Sequence, residues 1–227
     1  MKVFFITILL LFAIQKSFDY SKMLIIYFTR TGNTELFANY IKEYINTDIA
    51  TFKIVPVNSY PEDDNQMFDI VRGEQANDTK IDIVNPLTDI SKYDTILLGY
   101  PLWFSHLPNI VMSQLEKLNF EGKTVYPFNT HGSSGLGVSI NEIVNYTSGA
   151  NVMEGFPISA AMIKKKNESM VEVKSWVDKY FGNPKENNDT SSNNKFSFLD
   201  YINSDNAPYI ILLILFLLTI ILYFNRH

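Results

Sequence analysis

The chain of 227 residues contains no cysteine. Disulfide staples, thiolate metal sites, an internal dithiol relay and a cysteine nucleophile are therefore excluded. Histidine is nearly as scarce: His106, His131 and His227 are too few and too scattered to form a ligand cluster, so no metal is expected. No long basic run exists beyond Lys164-Lys165-Lys166, and the net charge is −5, which argues against nucleic acid as a partner. The dinucleotide fingerprint G-x-G-x-x-G is missing, as is the lysine of a nucleoside-triphosphate loop. No internal repeat occurs. What is present is apolar material: 46% of residues are hydrophobic and 14% aromatic, enough for one sizeable core with accessory segments around it.

Two apolar segments stand apart from that core. In residues 1–17, Lys2 precedes twelve nearly unbroken apolar residues, Val3 to Ile14. This is too short to span a bilayer and suits a signal-peptide core, although Met23 would also serve as a start. Residues 207–224 are apolar but for Thr219, about 27 Å long as a helix, with Tyr209 and Tyr223 at the edges. The expectation there is a single transmembrane helix, and hence membrane attachment. Between domain and span lies an asparagine-rich linker, 183–206, whose composition buries too little apolar surface to order itself.

Within residues 23–182, apolar runs and helical stripes alternate. Strands are predicted at 23–28, 51–57, 95–99, 124–129 and 152–158. Helices are predicted at 33–46, 62–78, 107–118, 138–146 and 168–181. Expected on their inner faces are Met67, Ile70 and Val71 in the second helix and Ile140, Ile143 and Val144 in the fourth. Five alternations imply an α/β fold with a parallel sheet and right-handed crossovers.

Three loops follow predicted strands. Thr29-Arg30-Thr31-Gly32-Asn33-Thr34 joins the first strand to the first helix. Such a junction aims backbone N–H groups and the positive helix end at one point, and its hydroxyls suit a single terminal phosphate. An N-capped helix start is the alternative. Pro101-Leu102-Trp103-Phe104 follows the third strand, and its aromatics can stack on a flat heterocycle or simply pack on a helix. Thr130-His131-Gly132-Ser133-Ser134-Gly135 follows the fourth, where glycines allow close backbone approach. His131 is a candidate for proton donation.

The F-T-R-T-G-N-T-E, G-Y-P-L-W-F and P-F-x-T-H-G-S-S-G-L-G stretches resemble the phosphate and ring-binding loops of flavodoxins, in that family's order and spacing. The resemblance covers about 70% of the chain and is to the short-chain type, since little room exists for an insertion between Val152 and Glu168. It implies a doubly wound sheet of order 2-1-3-4-5 with flavin mononucleotide (FMN) at the switch point, an order for which flavodoxin is itself the standard example. A receiver domain shares this topology but needs an Asp where Tyr100-Pro101 stands. Residues 23–182 carry 13 Lys and Arg against 19 Asp and Glu, a net −6 that disfavours an anionic reduced flavin and implies a low potential.

Three functions are compatible with these residues: electron transfer between redox protein partners, an NAD(P)H-dependent FMN oxidoreductase acting on quinones or nitro compounds, and a membrane-tethered binding module without redox turnover. A working signal places the domain in the lumen or outside the cell; initiation at Met23 leaves it facing the cytosol. Protease added to intact vesicles is expected to spare the domain in the first arrangement, and digestion without detergent would establish the second.

Overall fold

The computed structural model describes residues 19–182. The linker, the 207–224 segment and the 1–17 segment lie outside the described residues. Among those described, no helix is long and apolar enough to cross a membrane.

A parallel sheet is built from β1 (Met23–Tyr27), β2 (Ala50–Lys53), β3 (Thr95–Pro101), β4 (Thr124–His131), β5 (Asn151–Val152) and β6 (Phe156–Ser159). The order is β2-β1-β3-β4-β5, with β6 also pairing β4, as the resemblance implied. Four helices connect the strands, α1 (Asn33–Ile45), α2 (Asp64–Ala76), α3 (Asn109–Leu115) and α4 (Ser139–Tyr146), and α5 (Lys166–Phe181) follows β6. β1 is buried at every position because both faces of the sheet are covered. Met23, Ile25 and Tyr27 pack with α1 and α5; Leu24, Ile26 and Phe28 pack on the opposite face with α2, α3 and α4. This period-two division makes two cores, one on each side of the sheet.

Several predicted boundaries move. The strand expected at 51–57 ends at Lys53. Residues 55–57 leave the sheet to pair antiparallel with 82–84, through Val57 N–H to Asp82 O at 2.9 Å and Val84 N–H to Val55 O at 2.8 Å. Pro56, at the bend, has no N–H to give a sheet ladder. The fifth strand divides into β5 and β6, which pair with the two ends of β4. Ile70 and Val144 are 43% and 51% exposed, not inward as expected. On both helices the neighbouring residues Val71 and Ile143 take the buried position.

The described chain begins and ends at one pole. Lys22 precedes β1 and bridges Asp94, just before β3, at 3.1 Å. Phe181, the last residue of α5, packs on Tyr126 near the start of β4, with ring centroids 4.8 Å apart. The carboxyl ends of the strands form the other pole.

One buried carboxyl needs explanation. Glu74 of α2 is 9% exposed and accepts a hydrogen bond from the Tyr60 hydroxyl at 3.0 Å. Burial pushes its pKa above the ordinary carboxylate range, only partly offset by that bond. A raised folded-state pKa means that stability is fully present below the unfolded value and is lost as pH rises through the folded one. Glu74→Gln keeps an acceptor for Tyr60 and removes the charge. Its melting temperature is expected to exceed that of the wild type at pH 7, with the gap closing as the pH is lowered toward the unfolded carboxyl value of about 4.3. A gap of the same size at both pH values would refute this account.

Candidate functional site

β1, β3 and β4 are parallel neighbours, with Tyr27 opposite Gly99 and Pro101 opposite Thr130. Their carboxyl ends therefore come out side by side, and the segments that follow them, loop 1 (28–32), loop 2 (102–108) and loop 3 (132–138), gather at one edge. Thr130 joins all three. Its hydroxyl lies 2.9 Å from that of Thr34, which follows loop 1, and both residues are buried. Its carbonyl accepts the N–H of Leu102 in loop 2 at 2.8 Å. Loops 2 and 3 meet directly through Val138 N–H to Ser105 O at 2.9 Å. Gly137 makes that approach possible: a Cβ there would lie 2.2 Å from the Ser105 carbonyl oxygen.

Loop 1 leaves a helix end open. Gly32 occupies the N-cap of α1 with φ +84°, and no side chain caps the helix. The alternative role for the loop, a threonine or asparagine N-cap, is thus not what is built. The first-turn N–H groups have no intrahelical acceptor by helix geometry, and with the dipole they favour an anion. Thr29 Oγ1 accepts the Gly32 N–H at 3.0 Å, which shapes the turn and leaves its own hydroxyl proton to donate. Asn33 Nδ2 reaches Thr31 Oγ1 at 3.2 Å, and Thr31 is exposed. Arg30 turns elsewhere: its guanidinium donates to Pro61 O at 2.9 Å and to the carboxylate of Asp64. The loop thus offers neutral donors, with its one cation engaged by α2 and the segment before it.

Loop 2 separates the two aromatic candidates. Trp103 is 8% exposed and packs edge-on against Phe28 and Tyr60, with centroids 5.4 and 4.9 Å apart. Phe104, by contrast, is 40% exposed. The two residues flank the start of a tight turn in which Trp103 and His106 exchange backbone hydrogen bonds of 3.1 and 2.9 Å. Phe104 and Ser105, its central residues, have φ of +49° and +68°, the conformation that such two-residue turns require. Pro101 ends β3, and Leu102 is half-buried beside it.

In loop 3, Gly132 and Ser133 are exposed and Gly135 has φ +61°. Asn129 Nδ2 donates to Gly135 O at 2.9 Å, which folds the loop back on the strand end. Its Oδ1 is buried without a hydrogen-bond partner, and so is Nδ1 of His131. Residues 129 and 131 lie on the face of β4 opposite Thr130, so the two unsatisfied polar atoms stand at the carboxyl end of the strand, on the side of the sheet away from α1. Burial lowers the His131 pKa, which keeps the ring neutral near pH 7. An anion grip, an aromatic face and unpaired polar atoms on a strand end together fit a flat heterocycle that carries one phosphate.

Some supporting residues gave no signal in the sequence. Glu142 of α4 fixes the base of loop 2, with Oε2 accepting Leu107 N–H at 2.7 Å and Oε1 lying 2.6 Å from His106 Nδ1. Tyr60 walls Trp103, and Gln75 Nε2 donates to Trp103 O at 3.2 Å. Only the fold brings these residues to the loops.

A family model described as Flavodoxin matches residues 22–180. Similar solved structures include a chain of Bacteroides uniformis ATCC 8492 described as a flavoprotein, with 26% identity, TM-score 0.57 and coverage of 70% of this chain and 99% of that one. A flavoprotein chain of Bacteroides eggerthii DSM 20697 is also 26% identical, with TM-score 0.59 and coverage of 70% and 96%. A Lactobacillus acidophilus NCFM flavoprotein, solved in complex with FMN, shares the fold at 21% identity and TM-score 0.50, covering 65% of this chain and 99% of that one. No curated protein matches.

The hydroxyl pair can be tested without any ligand. Thr130→Val leaves the Thr34 hydroxyl buried and unpaired, at an expected cost of about 1–3 kcal/mol. The double variant Thr34→Val/Thr130→Val removes both partners and is expected to recover most of that loss in urea denaturation. Additive losses in the double variant would show that the bond does not join the loops.

Proposed function

The chain belongs to the flavodoxin family, and from that we propose that it binds FMN at the three loops and passes electrons between redox proteins while held at a membrane by residues 207–224. The observation that supports this most is the Thr34–Thr130 junction, which ties the uncapped start of α1 to the end of β4, where the glycine-rich loop 3 begins. FMN, when bound, supplies one- and two-electron chemistry at its ring. The first turn of α1, with Thr29, Thr31 and Asn33, would hold the phosphate. Phe104 and the backbone of 132–135 would flank the ring, and Asn129 and His131 would meet its polar edge. A lone helix end with neutral donors suits one phosphate; a pyrophosphate would call for the glycine fingerprint that the sequence lacks. The acidic domain favours a low potential, and without cysteines the chain has no second two-electron carrier of its own.

The purified full-length chain is expected to bind FMN well over tenfold more tightly than riboflavin, because an anion at a helix end contributes free energy that the uncharged ligand forgoes. Thr31→Val, at an exposed hydroxyl, should weaken FMN and leave riboflavin unchanged in a fluorescence titration. Equal affinity for the two ligands would overturn the phosphate grip. Steady-state oxidation of NAD(P)H with a quinone acceptor would replace electron transfer by enzymatic turnover.

A further inference from the structure

α2 carries Asp64, Phe68 and Arg72 along one ridge, spaced four apart so that they stack on a single face. Each touches a wall of the site. Asp64 accepts from Arg30 of loop 1. Phe68 meets Phe104 of loop 2 edge-on, with centroids 5.3 Å apart. The Arg72 guanidinium stands 5.2 Å over the same Phe104 ring. One helix face thus holds a side chain from each of two loops.

The turn that carries Phe104 needs such a hold. Phe104 and Ser105 are consecutive left-handed residues, φ +49° and +68°, where glycine or asparagine is usual. Val138 N–H fixes Ser105 from the loop 3 side. The Phe104 ring is fixed from the α2 side. Phe68 is itself 38% exposed, so its contact with Phe104 is a surface contact, not a core one.

We propose that the Asp64–Phe68–Arg72 ridge is a clasp that sets the position of the loop 2 tip relative to loop 1, making Phe68 and Arg72 positioning residues for the ring of a bound flavin. This rests on the flavin reading above. Within the clasp, Phe68 and Arg72 touch loop 2 and not loop 1, so the loss of either falls equally on ligands with and without the phosphate. That separates it from the loop 1 donors.

The test uses the full-length chain with Phe68→Ala, Arg72→Ala and Arg72→Lys, and with Val171→Ala as a control at an exposed position on α5. In flavin-free protein, the two alanine variants of α2 are expected to speed amide hydrogen exchange at residues 103–106. They should also weaken FMN and riboflavin by the same factor, about two- to fivefold, the size of a surface cation–ring contact. Arg72→Lys is expected to restore most of the effect of Arg72→Ala, and Val171→Ala to change nothing. Unchanged exchange at 103–106 in both alanine variants would overturn the clasp, as would a loss confined to FMN. If the wild type bound neither flavin, the proposed function would fall, and the exchange measurement alone would decide the clasp.

Discussion

Two threonine hydroxyls, 2.9 Å apart and out of water, tie the end of β4 to the start of α1, the helix that follows the non-adjacent strand β1. β3 lies between β1 and β4, so the link crosses it at the rim. The Thr130 carbonyl holds the loop that leaves β3. One residue thereby fixes the relative positions of three segments that are about seventy and thirty residues apart in the chain. A buried hydroxyl without a partner is costly, so the arrangement holds as a unit or loses both ends. The sheet register supplies the rough alignment, and the threonine pair refines it.

The electrostatics of the rim follow from what is already engaged. Arg30 is committed to Pro61 and Asp64, and Lys53 to Glu35 at 2.9 Å. Backbone N–H groups, hydroxyls and the dipole of α1 are left for an anion. In a domain of net −6, this would be selective: directed donors at one point would favour a phosphate, while the surrounding field opposes negative charge on whatever lies farther out. Such a field penalises gain of negative charge on a nearby ring, and this is one physical route to a low potential.

Much of this was legible from period and punctuation. The alternation of apolar runs with helical stripes predicted the elements of the sheet, and glycine-bearing segments after strands marked the rim. What escaped was set by tertiary context. Hydrophobicity cannot show which of two adjacent apolar residues a helix buries: of the pairs Ile70–Val71 and Ile143–Val144, all expected inward, only Val71 and Ile143 are buried. Pro56 was a visible sign that the second strand would stop short, yet its antiparallel pairing with 82–84 depends on a segment some twenty-five residues away. Of Trp103 and Phe104, the larger ring is the better core filler, and Tyr60 and Phe28 enclose it. Glu142 has no local mark at all, because its partners belong to loop 2.

The placement of the two described ends has a practical side. Asp19 and Gly182 both lie toward the amino ends of the strands, while the threonine-linked rim is at the carboxyl ends. A fluorophore, a bead or an electrode surface joined at Gly182 itself would take hold of the described domain by its base. The rim would then look into solution, and current measured on such an electrode would have to cross the full depth of the sheet.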